Sequence, residues 1–148
     1  MKQINNIEEF ENEFDALFGL MTLAQQTYFF KSWWFGAEKE EEINDIYTLI
    51  DSLPEEMLSD VETFIEYQFE AFWDFIKYDT KKTINHLDIE TLNKIKKSIE
   101  DEEFHSIIYY ITAFVYANER IGCSENWEWL SEVIEERINV IKFDNNID

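Results

Sequence analysis

Apolar residues recur at intervals of three and four along most of the chain, the spacing that places side chains on one face of an α-helix. The longest such face lies between Pro54 and Tyr78 and consists of Met57, Val61, Phe64, Ile65, Phe72 and Ile76. Glycine occurs 3 times and proline once in 148 residues, which disfavours a turn-rich β architecture. The pattern predicts an all-α fold, a compact single-domain bundle of six or seven helices.

The predicted helices cover approximately residues 6–18, 22–35, 38–53, 54–78, 88–98, 102–121 and 124–142. Side chains that can cap a helix start stand at Asn5 or Asn6, at Asp88 and at Ser124. Gly36 and Gly122 are predicted helix ends, whereas Gly19 either ends the first helix or lies inside a longer bent one. The polar segment 79–87 is predicted to be a linker. Residues 1–143 are predicted to form a single helical domain, and residues 144–148 a frayed tail.

The second predicted helix is unusually rich in aromatic residues. The segment TYFFKSWWFGAEKEEE, residues 27–42, places six rings within eight positions and then a run of charge. Consecutive residues of a helix diverge by about 100°, so these rings cannot all share one face. Burial in the core is predicted for Phe30, Trp33 and Trp34, and the remaining rings face outward, another helix or a partner. By the same reasoning, only one of Trp127 and Trp129 is expected to point inward.

The formal net charge is −21, from 33 acidic residues against 12 basic ones. Such a charge disfavours direct binding to nucleic acid or to an anionic membrane, so a basic protein is the expected partner. The single cysteine, Cys123, excludes an internal disulfide and a cysteine-cluster metal site. No secretory signal or membrane-spanning stretch is evident, and a cytoplasmic location is expected.

The acidic residues form runs and stripes. Residues 1–79 contain 19 acidic and 4 basic residues, whereas residues 80–148 contain 14 acidic and 8 basic residues, so the first half is the more acidic. On the fourth predicted helix, Glu56, Asp60, Glu70 and Asp74 share one stripe with Thr63 and Tyr67, opposite the apolar face. Glu62 and Glu66 widen this stripe. The candidate partner-binding residues are Glu38, Glu40, Glu41, Glu42, Asp45, Glu56, Asp60, Tyr67, Glu70 and Asp74. Two interpretations stay open: the acids keep an apolar protein soluble, or they converge on a surface that binds a basic partner.

Sequence patterns of catalytic or metal sites are mostly absent. Glu102 and His105 have the Glu-x-x-His spacing of di-iron bundles, but the residue three before the other histidine, His86, is Thr83. His105 and Cys123 lie 18 positions apart without a recognisable signature around either. No glycine-rich phosphate loop occurs. We therefore predict no enzymatic activity, no catalytic residues, no metal and no cofactor.

The Glu38–Glu42 run, the stripe of Glu56, Asp60, Glu70 and Asp74, and the aromatic surplus at Tyr28–Phe35 give the chain a distinctive composition. In this it resembles bacterial toxin-immunity proteins and phage-encoded mimics of nucleic acid. The resemblance implies an acidic binding protein that neutralises a basic toxin or nuclease. The alternative is a homo-oligomeric structural or adaptor protein, such as a homodimer, that uses the aromatic second helix as its interface. A third reading is an enzyme whose acids carry chemistry that the sequence does not reveal.

Overall fold

Helices account for all regular structure in residues 3–36 and 43–145, the part of the chain that the computed structural model describes. The α-helices are α1 (Ile7–Gly19), α2 (Leu23–Phe35), α3 (Asn44–Asp51), α4 (Leu58–Ile84), α5 (Ile89–Glu100), α6 (Thr112–Ile121) and α7 (Ser124–Asp144). Short 3₁₀ segments lie at Glu55–Met57 and Phe104–Tyr109. The predicted all-α fold is confirmed.

The chain folds as two compact units, Met1–Trp73 and Asp74–Asp148. The first unit contains α1, α2, α3 and the first part of α4, and the second contains the rest of α4 with α5, α6 and α7. The expectation that residues 1–143 form a single domain stays a prediction. The predicted tail 144–148 falls mostly outside the described residues, and α7 itself extends to Asp144.

Local capping signals set several helix ends. Asn6 caps α1 by accepting a hydrogen bond from the backbone N–H of Glu9 at 2.9 Å. Asp88 caps α5 in the same way through the N–H of Thr91 at 2.8 Å, and this hydrogen bond lowers the pKa of the Asp88 carboxyl. Gly36 ends α2 in the left-handed conformation, with φ of 70°.

The core of the first unit is built largely from phenylalanine rings. Phe14 of α1 contacts Phe29 of α2, with ring centroids 5.7 Å apart, and Phe64 of α4 at 5.2 Å. Phe30 contacts Phe72 of α4 at 5.2 Å. These edge-on and tilted contacts are the geometry that aromatic side chains favour in cores. The rings therefore join α1, α2 and α4 around one buried cluster.

The second unit has a mainly aliphatic core. Its fully or almost fully buried side chains include Ile76, Ile84, Leu92, Ile95, Ile107, Phe114, Val115, Leu130 and Ile134. Helix α5 packs against α7, and α6 packs against the 3₁₀ segment Phe104–Tyr109. Lys96 of α5 pairs with Glu135 of α7, which raises the pKa of the ammonium and lowers that of the carboxyl. This ion pair reinforces the α5–α7 contact.

The fourth helix is longer than the sequence predicts. Its predicted end lies near Tyr78, but α4 continues through the supposed linker to Ile84. Thr80 and Ile84 are 1% exposed, and the Thr80 hydroxyl donates to the carbonyl of Ile76 at 2.7 Å. Burial of these two side chains outweighs the turn preference of their polar neighbours.

The predicted helix over residues 102–121 ends where expected, at Ile121, but it is interrupted: Phe104–Tyr109 form a 3₁₀ segment and α6 begins only at Thr112. Glu102 adopts φ of 57°, and the N–H of Glu103 donates to the carbonyl of Ser98 at 2.8 Å. Together with the bond from the Glu102 N–H to the Ile99 carbonyl, this is a Schellman motif that ends α5. The backbone cannot continue directly into a helix from that left-handed residue.

Two smaller boundary predictions also need correction. The residue before α7 is Cys123 rather than Ser124, and it makes no side-chain capping bond. Helix α3 begins at Asn44, and the earlier residues of its predicted span, 38–42, lie outside the described part of the chain.

Candidate protein-interaction site

Helix α2 is central in the first unit. Phe29 contacts Phe14 of α1 and Tyr47 of α3, with the Tyr47 ring centroid 5.7 Å away. The Ser32 hydroxyl donates to the Phe29 carbonyl and is 2.5 Å from the Tyr47 hydroxyl. Burial raises the pKa of Tyr47. Because α1, α3 and α4 all pack on it, α2 buries rings in more than one direction.

The rings at the end of α2 divide between core and surface. Phe30 is buried as predicted, but Trp34 is 43% exposed and Phe35 is 62% exposed, so the predicted burial of Trp34 is wrong. Trp33 is half-buried and stacks on Phe29 at 6.2 Å between centroids. Phe29, which was not among the predicted core rings, occupies the inward position. The sequence could not choose among these rings because the choice depends on which helices surround α2.

Helix α4 presents acidic residues on its exposed side in the first unit. Glu62, Glu66 and Glu70 are exposed and follow one another at intervals of four, so their carboxylates form one row along the helix. Tyr67 is 65% exposed beside this row. Asp60 is also exposed, but it lies on the far side of the exposed face from Glu62. The row is the denser series of carboxylates, and the members of the predicted stripe that lie on α4, Asp60, Tyr67, Glu70 and Asp74, are exposed as well.

The exposed rings of α2 and the acids of α4 meet in a groove of about 570 Å³. We call it the indole groove, and it is lined by Trp33, Trp34, Ser59, Glu62, Thr63 and Glu66. The ring of Trp34 contacts Phe69 of α4 at 6.1 Å, so its position is set by the core beneath it. The groove therefore combines an indole wall with a carboxylate wall in one unit of the protein.

No described residue forms an ion pair with the carboxylates that line the indole groove. Neither Glu62 nor Glu66 forms an ion pair within the described residues, and the ion pairs that are found there lie in the second unit. The nearest lysine in sequence on α2, Lys31, lies over the ring of Tyr28 at 5.7 Å from its centroid. Among the described residues, the groove therefore presents negative charge without an ion-pair partner, beside exposed aromatic surface.

The predicted binding residues are only partly brought together. Glu38, Glu40, Glu41 and Glu42 lie outside the described residues. Asp45 is exposed in the first turn of α3. Glu56 is exposed in the 3₁₀ segment that precedes α4, so it does not continue the helical stripe as expected. Asp74 is exposed on α4 but belongs to the second unit. Partner binding by these residues stays a prediction.

Sequence reasoning did not identify the groove itself. Trp33 and Trp34 were assigned to the core, while Ser59 and Thr63 carried no signal of their own beyond helical spacing. Glu62 and Glu66 were noted only as widening the predicted stripe. The interval of four between them was the available clue, because it places both carboxylates on one edge of α4.

The residues examined for catalytic or metal chemistry take ordinary surface positions. His105 is exposed, and its Nδ1 lies 2.7 Å from Oε1 of Glu119. The Cys123 thiol is exposed rather than buried, and the Cys123 backbone N–H donates to Oδ1 of Asn118 at 3.2 Å. Within residues 3–36 and 43–145, no group of three or more histidine, cysteine or acidic side chains is arranged to hold a metal ion.

None of the helices in the described residues has both the length and the apolar character needed to span a membrane. Comparison of the chain with protein-family models, with curated proteins and with solved structures finds no match.

Proposed function

We propose that the protein binds and neutralises a basic protein, as an immunity or inhibitor protein directed against a toxin such as a nuclease. The observation that supports this proposal is the indole groove, where Trp34, Glu62 and Glu66 line one concave surface and neither carboxylate forms an ion pair with a described residue. Acidic surface alone is adequately explained by solubility. Exposed indole and phenyl rings work against solubility, and their position beside the acids therefore favours a binding role.

The exposed rings supply the anchors of the proposed interface. Tryptophan and tyrosine are the residues that most often dominate binding energy, especially when a partner removes them from water. The side chains of Trp34 and Tyr67 are 43% and 65% exposed, so a bound partner can bury further ring surface of both. Trp33 is stacked on the core, which limits the loss of side-chain freedom on binding.

The carboxylates supply steering and specificity. Complementary charge accelerates the encounter of two proteins and excludes partners of the wrong sign. A row of carboxylates at every fourth residue, about 6 Å apart along the helix axis, can stand in for the phosphates that a basic nuclease groove normally binds. Glu62, Glu66 and Glu70 form such a row.

The homodimer alternative is disfavoured at this surface. Two copies that met through the indole groove would bring Glu62 and Glu66 of one copy against the same residues of the other. Like charges that meet without a counterion oppose association. Analytical ultracentrifugation at low salt is expected to show a monomer, and a dimer that Trp34→Ala dissociates would support the alternative.

The proposed function can be tested in cells, because genes for immunity proteins normally follow those for their toxins. The reading frame that precedes this one is expressed alone and together with the present chain, and growth is measured. We expect growth arrest alone and rescue on co-expression. The double variant Glu62→Gln/Glu66→Gln should rescue poorly, whereas the control Glu8→Gln/Asp15→Asn, on the exposed side of α1, should rescue fully.

The same partner gives a kinetic test in vitro. Its association rate with the wild-type protein should fall steeply between 0.01 and 1 M salt, since the Debye length falls from about 30 to 3 Å. The groove variant should associate more slowly at low salt and show a weaker salt dependence than the wild-type protein. A partner that associates equally fast with the groove variant, or a preceding product that is neither toxic nor bound, would contradict the proposal.

A further inference from the structure

A second groove lies wholly within the second unit and has an apolar floor. It occupies about 610 Å³ between the end of α5, the 3₁₀ segment and the start of α7. We call it the stacked-ring groove, since Phe104 and Trp127 stack there with centroids 4.4 Å apart and planes 14° from parallel. Ile99 of α5 adds aliphatic surface to the same floor. Phe114, which is buried, contacts Trp127 edge-on at 5.3 Å and holds it in place.

The charge around this floor is of one sign. Five carboxylates line the groove, those of Glu100, Glu102, Glu128, Glu132 and Glu135. Of these, Glu135 is engaged by Lys96, which also interacts electrostatically with Glu100. Glu102, Glu128 and Glu132 form no ion pair with any described residue. The apolar floor is therefore complementary to an apolar or flat group, and the acidic rim is complementary to a cation.

We infer that the stacked-ring groove takes an arginine side chain presented by a basic protein segment. A guanidinium is planar, weakly hydrated and able to lie against aromatic rings while it donates hydrogen bonds to carboxylates. An ammonium is compact and strongly hydrated, so it gains less from a flat aromatic floor. A second copy of this chain would have to present one of its few arginines against a strongly acidic surface, which charge complementarity disfavours.

The geometry of α7 favours engagement by two carboxylates at once. Glu128 and Glu132 are four residues apart and exposed, so they lie on one edge of the helix about 6 Å apart along its axis. The five N–H donors of a guanidinium can address more than one carboxylate. This site is separate from the indole groove, so the inference holds independently of the proposed neutralising function.

The inference is tested by NMR on the ¹⁵N-labelled full-length protein. The probe is the capped peptide Gly-Gly-Arg-Gly-Gly, and the control peptide carries citrulline, which keeps the shape of arginine without its charge. The five indole N–H signals report on five tryptophans, and Trp127→Phe identifies the relevant one. We expect the arginine peptide to shift the Trp127 signal with a dissociation constant at least tenfold lower than that of the citrulline peptide.

Two double variants test the rim. Glu128→Gln/Glu132→Gln should weaken binding of the arginine peptide about tenfold, because two charge-assisted contacts are lost. Glu136→Gln/Asp144→Asn changes the same charge on exposed positions of α7 that do not line the groove, and should leave affinity within about twofold. Circular dichroism checks the folding of each variant, and both pairs are exposed enough to be tolerated.

Each possible result either supports or overturns the binding of arginine in the stacked-ring groove. An unmoved Trp127 signal, equal binding of the citrulline peptide, or equal weakening by both double variants would overturn the inference. A lysine peptide that binds as tightly as the arginine peptide would overturn the assignment to arginine. Loss of toxin rescue in the Glu62→Gln/Glu66→Gln variant bears on the indole groove only, so failure of one proposal is distinguishable from failure of the other.

Discussion

The junction between α6 and α7 gives a sharp test of packing in the second unit. A Cβ atom at Gly122 would lie 1.6 Å from Oδ1 of Asn118 and 2.6 Å from its Cα. The Gly122 backbone is extended, with φ of −97° and ψ of −167°, so its conformation does not itself demand glycine. The obstacle to a side chain is therefore space alone.

The expected loss follows from what Asn118 does. This residue is 7% exposed, and its side chain accepts from the Cys123 N–H and from Asn126 Nδ2 and donates to the Cys123 carbonyl. A methyl group at Gly122 expels that side chain, and each lost hydrogen bond costs about 0.5–1.5 kcal/mol. The contact with the Asn118 Cα adds strain that no rotamer can relieve. We expect Gly122→Ala to lower the free energy of unfolding by roughly 3–5 kcal/mol.

Urea unfolding followed by circular dichroism measures this loss, with Gly19→Ala as the control. Gly19 is the last residue of α1, and a Cβ there meets nothing within 4 Å, so that substitution should be neutral or stabilising by up to about 1 kcal/mol. In an Asn118→Ala background, Gly122→Ala should be milder by about 1.5–4.5 kcal/mol, because the three hydrogen bonds of the Asn118 side chain are already lost. Equal effects of Gly122→Ala and Gly19→Ala would refute the reasoning.

Three further predictions concern charge and backbone strain. Glu102→Gly should raise the free energy of unfolding by roughly 0.5–1 kcal/mol in thermal melts, since glycine adopts φ of 57° without the penalty of a side chain. Lys96 lowers the pKa of Glu135 in the folded protein. The stabilisation by this ion pair is therefore complete above the ordinary glutamate pKa of about 4.3, and it is lost as the pH falls through the lowered pKa. Glu135→Gln should therefore destabilise at pH 7, and this effect should fade as the pH falls through the lowered pKa of Glu135. Glu66→Lys should stabilise by about 0.5–1 kcal/mol at low salt, since it replaces two like-charge neighbours on α4 by two attractive pairs, and less so in 1 M NaCl.

The sequence predicted those features that depend on local chemistry. Asn6, Asp88 and Gly36 were recognised as helix ends, and each fulfils its role through a capping bond or a left-handed φ that neighbouring residues suffice to define. The end of α5 was predicted to within two residues, but the left-handed stop after it was not, because Glu102 takes the position that glycine usually occupies and no residue type marked it.

Features that depend on tertiary packing were not predictable in the same way. Thr80 looks like part of a linker by its neighbours, and only burial beside Ile76 shows that α4 continues through it. Trp127 and Trp129 were expected to divide between core and solvent, but both are half-buried, and Phe114 contacts the two rings. The choice of inward residue depends on partners that are distant in sequence.

The position of the acids relative to the rings is what separates binding from mere solubility. A solvated face needs charge of either sign, and lysines interspersed along α4 would relieve the repulsion within the row of Glu62, Glu66 and Glu70. Exposed indole surface is a second unfavourable feature, and Trp34 lines the same groove as Glu62 and Glu66. The cationic partner proposed above would cover both features and so account for two separate penalties at one place. If a Glu66→Lys variant folds more stably and still neutralises the partner, partner binding does not explain why the acidic row is present.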